Sequence, residues 1–331
     1  MSFEILNDYL SDLLANSNKV RPLLEGQLNG CTLQEHSRGI LSFTPKTPSS
    51  SSPLILSCGI HGNETAPIEI INDILKKIAK KELKIQRPLL IIFGHIEAMS
   101  AHKRFIDFNL NRLFSGEHLH HASAQESPRA LELESIVDSF FEKHGKGWHL
   151  DLHTAIRPSH IKRFAVFPTI DNHQPTQEEI TILKAIGIEA ILLANEKAKT
   201  FSSFSFSKYQ AFAYTLELGK VEPFGKNLRE DFLEAEQTLE QLIANQELPS
   251  QENKKIKLFT VVHEMIRDSE DYTLHLSEDY ANFSPLVVNA PIETTQEGIL
   301  KAKANQAVVF PNSDVIVGQR TGLLVEITKE V

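Results

Sequence analysis

The sequence predicts an α/β protein in which a mixed β-sheet is covered by helices, followed by a smaller β-rich C-terminal part. Two near-continuous apolar runs, Leu54–Leu56 and residues 89–94, flank a segment with helical periodicity. This strand, helix, strand order is typical of a parallel or mixed sheet that is buried on both faces. Beyond Pro249 the pattern changes to short β-like pieces. We therefore predict a large domain over residues 1–249 and a small β-rich domain over residues 250–331.

The first predicted elements are a helix and a strand. Apolar residues recur at helical spacing over residues 3–16, which predicts an amphipathic helix. Residues 31–43 are predicted as a strand with a break at Gly39. Residues 44–52 are rich in Thr, Pro and Ser, which favour irregular backbone. We interpret them as a hairpin connection, because a buried strand begins directly after Pro53.

The central predicted elements are two helices and two strands, with a long polar segment between them. A helical face from Ile68 to Ile78 precedes the apolar strand of residues 89–94. Residues 95–127 are polar and irregular, as long functional excursions often are. A second amphipathic helix is predicted over 129–142, and a core strand over 148–153.

The remaining elements complete the large domain and its C-terminal neighbour. Thr176 and Glu179 have the spacing of a capping box at the start of a helix, and a charged helix is predicted over residues 227–245. The predicted strands of this half of the chain are 164–167, 188–193, 212–218, 257–262, 286–289, 307–310 and 323–327.

Composition excludes several classes of protein. Of the 331 residues, 41% are hydrophobic and 23% are charged, which argues against extensive disorder. The net charge of −9 argues against a general nucleic-acid or membrane-surface role, because both favour basic faces. Only Cys31 and Cys58 are present, so a disulfide framework is not expected. The first eight residues carry acids and lack a long apolar core, and no apolar run is long enough to span a membrane, so we expect a cytoplasmic protein.

The loop from Gly59 to Glu64 is the strongest candidate for a functional site. It follows a buried strand, at the position where open α/β sheets bind ligands. Gly59 and Gly62 permit a tight fold that brings His61 and Glu64 to one point. A histidine and a carboxylate are two thirds of a catalytic zinc site, which takes three protein ligands and leaves one position open.

Further candidates lie at the ends of other strands. His153 ends a core strand and is the expected third ligand, with Asp151 on the same strand face to orient it. Glu217 lies at an apolar strand end, where a carboxylate is costly to bury without a role, and it is therefore the candidate general base.

Arg104, Asn111 and Arg112 come from the long polar excursion. Guanidinium groups bind carboxylates through paired hydrogen bonds, so these residues indicate an anionic substrate.

Other conspicuous residues have simpler interpretations. His118, His120 and His121 lie in a polar loop, and we interpret them as solvated side chains rather than as a second metal site. Trp148 and the phenylalanines of residues 201–206 are interpreted as packing residues.

In their order, these motifs resemble the succinylglutamate desuccinylase and aspartoacylase branch of the zinc carboxypeptidase superfamily. The residues that carry the resemblance are Gly59-Ile60-His61-Gly62-Asn63-Glu64, then Arg104 with Asn111-Arg112, then Asp151-Leu152-His153, then Glu217-Leu218-Gly219. The resemblance implies a carboxypeptidase-like sheet and one Zn²⁺ per chain; the His₂Glu ligand set is known from carboxypeptidase A.

The resemblance also implies roles for individual residues. His61, Glu64 and His153 would bind zinc, and Glu217 would deprotonate water and later protonate the leaving amine. Arg104 would stabilise the oxyanion. Residues implied to bind the carboxylates of the substrate are Asn111 and Arg112, with Arg157, Lys162 and Arg163 as candidates by position for the acyl end.

The implied reaction is hydrolysis of N2-succinyl-L-glutamate to succinate and L-glutamate, the last step of arginine breakdown by the succinyltransferase pathway. A related zinc deacylase for another N-acyl amino acid, such as N-acetyl-aspartate, remains an alternative, as does a non-catalytic metal- or anion-binding protein on the same scaffold. We expect a small anionic N-acyl amino acid as the partner, and neither nucleic acid nor membrane. The sequence does not predict the oligomeric state.

Overall fold

The computed structural model describes residues 3–15, 21–47, 51–168, 174–194, 198–277 and 280–331. Short 3-10 helices span Glu4–Asp8, Leu110–Arg112, Glu117–Leu119 and Arg229–Asp231. The α-helices are α1 (Tyr9–Ala15), α2 (Thr65–Ala79), α3 (Ile96–Ser100), α4 (Ser127–His144), α5 (Gln177–Ile186), α6 (Phe201–Tyr209) and α7 (Leu233–Ile243). No described helix has the length and apolarity to cross a bilayer.

Strands form the rest of the regular secondary structure among the described residues. They are β1 (Glu25–Leu28), β2 (Cys31–Ser37), β3 (Ile40–Pro45), β4 (Leu54–Cys58), β5 (Leu89–Phe93), β6 (Trp148–Ala155), β7 (Phe164–Pro168), β8 (Ala190–Ala194), β9 (Phe212–Lys220), β10 (Lys257–Ile266), β11 (Thr273–Leu274), β12 (Ser284–Pro285), β13 (Pro291–Thr295), β14 (Gly298–Lys301), β15 (Gln306–Val309) and β16 (Arg320–Glu330).

The predicted mixed sheet is confirmed. Its strand order is β1-β2-β3-β5-β4-β6-β9-β7-β8-β10-β16-β15-β12. The four neighbours β5, β4, β6 and β9 run parallel, and β4, β5 and β6 are buried along their whole length. Antiparallel strands lie on both sides of this group, since β3 pairs antiparallel with β5 and β7 antiparallel with β9. The carboxyl ends of the four parallel strands therefore meet at one edge of the sheet.

The interpretation of residues 44–52 as a hairpin connection is wrong. β3 and β4, which this segment joins, are not neighbours, because β5 lies between them and pairs with both. Residues 48–50 of the segment lie outside the described residues. The strand predicted over residues 31–43 does break at Gly39, where φ is +82°, and gives β2 and β3.

The helices mostly follow the predicted pattern. The N-terminal amphipathic segment forms a 3-10 helix followed by α1, which packs against α2 and α3; residue 16 lies outside the described part. α5 begins at the predicted cap, where Thr176 and Glu179 make both hydrogen bonds of a capping box. α6 was not predicted, although its phenylalanines were correctly assigned to packing; it lies against β6, β7 and β9.

The C-terminal part is rich in strands, as predicted. β10 pairs parallel with β8 and antiparallel with β16, so the main sheet continues into it, while β11, β13 and β14 form a separate small sheet. No helix or strand lies between Ile243 and Lys257, and the predicted boundary near residue 250 falls in this connection. The division into two domains stays a prediction. Residues 286–289 form no strand and lie instead between β12 and β13.

Candidate metal centre

The loop that carries His61 and Glu64 is shaped by two glycines. β4 ends at Cys58, and the chain turns through residues 59–64 before α2 begins. Gly59 has φ +65°, a conformation that side chains disfavour. Glu64 occupies the N-cap position of α2, yet its side chain makes no capping hydrogen bond and is available to the cluster described below.

Gly62 allows close contact between this loop and α3. A Cβ atom at position 62 would lie 2.2 Å from the backbone carbon of Ala98 and 2.2 Å from the backbone nitrogen of Met99. Gly62→Ala is therefore expected to cost about 1–3 kcal/mol of unfolding free energy, and to displace His61 or α3. Chemical denaturation of the two proteins measures this loss.

The control for this prediction is Gly116→Ala. Gly116 meets no heavy atom within 4 Å of an added Cβ, but it has φ +85°, so the variant reports only the cost of a left-handed backbone, about 1–2 kcal/mol. A Gly62→Ala variant that keeps parental stability and an intact metal centre would show that the close contact has no importance.

His61, Glu64 and His153 meet at one point, as predicted. His153 lies on β6, the strand next to β4, and all three side chains are buried. The ligand atoms of the three residues lie within 4.8 Å of one another. His61 Nδ1 is 2.8 Å from Glu64 Oε1, and His153 Nδ1 is 2.8 Å from Glu64 Oε2. Two imidazole nitrogens and a carboxylate in this arrangement are the donor set that Zn²⁺ prefers.

In each histidine the Nε2 atom is engaged outside the cluster, which leaves Nδ1 for a metal ion. His61 Nε2 lies 3.0 Å from Asn109 Oδ1, and His153 Nε2 lies 2.9 Å from Asp151 Oδ2. Both partners accept, so each ring donates from Nε2, and Nδ1 of both rings faces the shared point. His61 Nδ1 is buried and has no hydrogen-bond partner among the described residues, although Glu64 Oε1 is near, because the geometry is unsuitable. Metal-binding histidines are typically oriented by such outer partners.

Charges inside the cluster also suit a cation. Burial and the positive charge of Arg104 lower the pKa of His61 to about 4, so its imidazole is neutral at physiological pH. Burial alone would raise the pKa of Glu64, but the two histidines outweigh it and hold that pKa well below its usual range. His61 and Glu64 thus have the protonation states that metal binding requires. Burial alone would lower the pKa of His153, but the carboxylates of Asp151 and Glu64 outweigh it and hold that pKa well above its usual range, so this ring must lose a proton to bind a metal.

Asp151 is held in place by a chain of buried polar groups that the sequence did not reveal. Ser57 Oγ donates to Asp151 Oδ1 over 2.6 Å and lies 2.9 Å from His149 Nε2. His149 Nδ1 in turn lies 2.7 Å from Ser205 Oγ. Asp151 lies against His153 as predicted, and this chain fixes the direction of its carboxylate.

Glu217 lies beside the cluster on β9, where its Cα pairs with that of His153. It is 8% exposed, and its Oε2 atom has no hydrogen-bond partner among the described residues. Burial and the negative charge of Glu64 raise the pKa of Glu217 to about 7. A carboxylate with a pKa near the working pH is well suited to general base catalysis, which was the role predicted for this residue and which stays a prediction.

The raised pKa of Glu217 gives a pH dependence. A general base must be deprotonated, so kcat/KM is expected to rise with pH and to level off above the pKa of Glu217. A cation at the cluster would favour the carboxylate, so the inflection should fall below about 7. Measuring kcat/KM from about pH 5 to about pH 9 tests this; a rate that falls as pH rises through this range would contradict the assignment.

Arg104 lies next to the cluster. Its Nη1 atom donates to Glu64 Oε1 over 2.7 Å, and its side chain remains one third exposed, at 33%. A partly exposed guanidinium is a group that can stabilise a polarised oxygen. The predicted oxyanion role is consistent with this position and stays a prediction.

Asn111 is buried and fixed in orientation. Its Oδ1 atom accepts a hydrogen bond of 2.9 Å from the backbone N–H of Phe201, at the start of α6. Because the oxygen is engaged there, the Nδ2 group is the part of the amide that can donate to a substrate carboxylate.

Arg112 has no carboxylate within ion-pairing distance among the described residues. Its Nη1 atom donates to the backbone oxygen of Asn111 over 2.8 Å. Arg112 is exposed, and partial desolvation by the surrounding protein, together with Arg320 and Arg104, lowers the pKa of its guanidinium. An arginine held near other arginines without a carboxylate partner is suited to an anion.

Arg320 was missed by sequence reasoning. It begins β16 in the C-terminal part, and its Nη1 atom lies 3.4 Å from Glu264 Oε1 of β10. Sequence reasoning had no signal for it, because only the fold brings this end of the chain within electrostatic range of Arg112.

The three cations suggested for the acyl end behave differently. Lys162 pairs with Asp231, and Arg163 pairs with Glu234, so both are engaged outside the cluster. Arg157 is half-buried in the loop after β6. Pro158 and His160, which come after Arg157 in this loop, are hydrogen-bonded through their backbones to Asn282 of the C-terminal part. These bonds hold the loop in place.

The interpretation of the three loop histidines is wrong for His118. His118 is buried and lies 3.3 Å from the backbone oxygen of Leu113 and 3.7 Å from Glu134, so it packs inside the long excursion. His120 is exposed as predicted, and His121 stacks on Phe108. Among the described residues, only the His61, Glu64 and His153 group meets the geometry of a metal cluster.

Comparison with known proteins gives one consistent result. Residues 50–243 match the succinylglutamate desuccinylase/aspartoacylase catalytic domain, and residues 254–328 match the AstE/AspA barrel-sandwich hybrid domain. A succinylglutamate desuccinylase of Pseudomonas fluorescens is 38% identical over 304 residues, which is 90% of each chain. One from Pseudomonas aeruginosa is 37% identical over 322 residues, covering 96% of this chain and 97% of the relative.

Solved structures agree with the sequence comparisons. A succinylglutamate desuccinylase structure from Vibrio parahaemolyticus has a TM-score of 0.88 at 34% identity and covers 97% of this chain and 95% of its own. One from Chromobacterium violaceum has a TM-score of 0.83 at 33% identity and covers 98% of both chains. Murine aminoacylase 3 shares the fold, with a TM-score of 0.58 at 18% identity.

Proposed function

Because the chain belongs to the succinylglutamate desuccinylase/aspartoacylase family, we propose that it is a zinc-dependent amidohydrolase that cleaves N2-succinyl-L-glutamate to succinate and L-glutamate. The observation that carries this proposal is the meeting of two histidines and a carboxylate with Glu217, whose Oε2 atom is buried beside them without a hydrogen-bond partner in the described part of the chain. Such a site has the parts of a metal-assisted hydrolase.

The metal would be held by His61 Nδ1, Glu64 and His153 Nδ1, one ion per chain. Zinc bound by these residues would supply a Lewis acid that polarises a carbonyl oxygen and lowers the pKa of water. Asn109 and Asp151 orient the two imidazoles. His153 Nδ1 lies 2.8 Å from Glu64 Oε2, and a proton held between these two atoms would have to leave before a metal ion could bind there.

Glu217 is the residue we assign to proton transfer. It accepts a proton from the attacking water and delivers it to the amine of the leaving glutamate. Its burial and its raised pKa suit both steps, since the group must exchange a proton near neutral pH. Arg104 stabilises the negative charge that develops on the carbonyl oxygen of the succinyl group, a contribution on the order of 3 kcal/mol for one such donor.

The substrate carries several carboxylates, and the site offers cations for them. We assign the α-carboxylate of the glutamate part to Asn111 Nδ2 and Arg112. Arg157 and Arg320 are the candidates for the remaining carboxylates: Arg157 belongs to a loop that is hydrogen-bonded to the C-terminal part, and Arg320 lies within electrostatic range of Arg112. In a cell this reaction would end arginine breakdown by the succinyltransferase pathway.

Substrate choice is tested by comparing hydrolysis of N2-succinyl-glutamate with that of N-acetyl-aspartate, using zinc-loaded protein and a chelator-treated control. Zinc-dependent glutamate release with preference for the succinyl compound supports the proposal. Preference for N-acetyl-aspartate would replace the substrate and keep the metal site. Zinc binding without hydrolysis of any N-acyl amino acid would favour a non-catalytic metal- or anion-binding protein.

A further inference from the structure

Glu126 is a fully buried carboxylate that belongs to no part of the site described so far. It stands at the N-cap position of α4, yet its side chain does not cap that helix. Instead Oε1 accepts hydrogen bonds of 2.9 Å from the backbone N–H groups of Ile106 and Asp107, and Oε2 accepts one of 2.9 Å from Phe108. His95 Nε2 lies 2.9 Å from Oε1.

This arrangement is unusual for a carboxylate that only stabilises its own helix. Burying an ionised carboxylate is costly unless hydrogen bonds replace its water, and Glu126 receives four. His95 Nδ1 lies 3.4 Å from the N–H of Ala98, so it accepts there and the ring donates from Nε2 to Glu126. Three consecutive backbone N–H groups thus depend on one side chain.

The segment held by Glu126 is the anchored loop, which we define as residues 104–112. It carries Arg104, which donates to Glu64, and Asn109, which lies against His61, together with Asn111 and Arg112, the residues assigned above to a substrate carboxylate. Phe108, whose N–H is bonded to Glu126, directly precedes Asn109.

Asn109 is the point where the loop meets the metal centre. Its Oδ1 atom lies 3.0 Å from His61 Nε2 and also accepts the backbone N–H of Asn111 over 3.0 Å. Phe108, whose backbone N–H is bonded to Glu126, and Asn109, whose side chain is bonded to His61, are therefore adjacent in the chain. The direction of His61 Nδ1 depends on the placement of this loop.

We propose that Glu126 is a positioning residue of the metal centre: it anchors residues 104–112 so that Asn109 fixes His61 and the loop arginines face the substrate. The inference rests on the proposed metal site and deepens it. It assigns a role in metal affinity to a residue that touches neither metal nor substrate. Outer partners of metal ligands typically change metal affinity 10- to 100-fold when they are removed.

The alternative is that Glu126 only stabilises the fold. Glu293 gives a matched control, because it is also a buried carboxylate, 1% exposed, with a histidine donor: His263 Nε2 lies 2.6 Å from Oε1, and Tyr272 OH donates to Oε2 over 2.8 Å. It lies on β13 in the C-terminal part. Glu126→Gln and Glu293→Gln should both lower the melting temperature, but only the first should change zinc binding.

The test measures the zinc dissociation constant of the full-length chain by competition with a chelating dye, at matched pH. Glutamine presents an N–H₂ group where the loop needs an acceptor, so Glu126→Gln is expected to raise the zinc Kd about 10-fold. Glu293→Gln is expected to leave it unchanged. An unchanged zinc Kd in folded Glu126→Gln, or an equal rise in Glu293→Gln, would overturn the inference.

The link through Asn109 is tested by a double-mutant cycle. Asn109→Ala removes the acceptor for His61 and is expected to raise the zinc Kd about 10- to 100-fold. If Glu126 acts through Asn109, the double variant should bind zinc no more weakly than the weaker-binding single variant. If the zinc Kd of the double variant rose by the product of the two single-variant factors, Glu126 would act by another route and the inference would be wrong.

A Glu126 variant that does not fold and a parental chain that binds no zinc are separate outcomes with different meanings. If Glu126→Gln does not fold, Glu126→Asp keeps the charge but withdraws it by one methylene, and its zinc Kd decides by the same criterion. A parental chain that binds no zinc would contradict the proposed function itself, whereas a parental chain that binds zinc alongside an unaffected Glu126 variant contradicts only this inference.

Discussion

Glu217→Gln is expected to lower kcat for N2-succinyl-glutamate by about 10²- to 10⁴-fold while zinc remains bound. Glutamine nearly preserves the shape of the side chain but cannot take a proton from water. Glu217 is not one of the three residues whose donor atoms form the metal cluster, so the variant should keep its zinc. Steady-state kinetics with measurement of bound zinc provides both quantities.

The control for this variant is Glu230→Gln, which changes an exposed carboxylate near the start of α7. It should keep parental kcat and parental zinc content. If Glu217→Gln hydrolysed the substrate at the parental rate, the assignment of the general base would be wrong. If it lost zinc as well as activity, its role would lie in the metal site and not in proton transfer.

His153→Ala is expected to abolish the stabilisation that zinc gives to the folded chain. A ligand that binds only the folded state, at a free concentration about 1,000 times its Kd, adds about 4 kcal/mol to the free energy of unfolding. For the parental chain this should appear as a rise of several degrees in melting temperature when zinc is added. The variant lacks one of three buried donors and should show no such rise.

His160→Ala tests whether the loss is specific to the cluster. His160 is an exposed histidine in the loop after the same strand, outside the group of potential ligands. Its variant should respond to zinc as the parent does. A zinc-dependent rise in His153→Ala equal to that of the parent would contradict the proposed ligand set.

Much of the site can be predicted from sequence because its parts follow buried strands. The apolar runs that end near His61 and His153 identify two buried strands, and the carboxyl ends of parallel strands share one edge. Glu217 stands out for a similar reason, since an acid in an apolar strand is conspicuous. These signals are local, so they need no knowledge of which strands are neighbours.

The strand order cannot be read in the same way. The connection after β3 looks like a hairpin because a strand follows it at once, yet β5 arrives later in the chain and inserts between β3 and β4. Pairing between distant segments depends on the whole sheet. α6 was missed because Phe201, Phe204 and Phe206 are all buried and leave no clear polar face.

Residues that act from outside the cluster were the least predictable. Asn109 lies in the same stretch as Asn111 and Arg112, but nothing in the spacing shows which amide faces His61. Glu126 and Arg320 come from separate elements, and tertiary contacts alone bring Glu126 to the backbone of Phe108 and Arg320 into electrostatic range of Arg112.

The most direct test of the account is reconstitution of activity with zinc. Metal-free protein, prepared with a chelator, should not release succinate from N2-succinyl-glutamate. As zinc is added, the rate should rise in proportion and level off at one ion per chain, and His153→Ala should show no rise. Full activity of the metal-free protein, or a rise that His153→Ala reproduces, would contradict the proposal that His61, Glu64 and His153 hold a catalytic zinc ion.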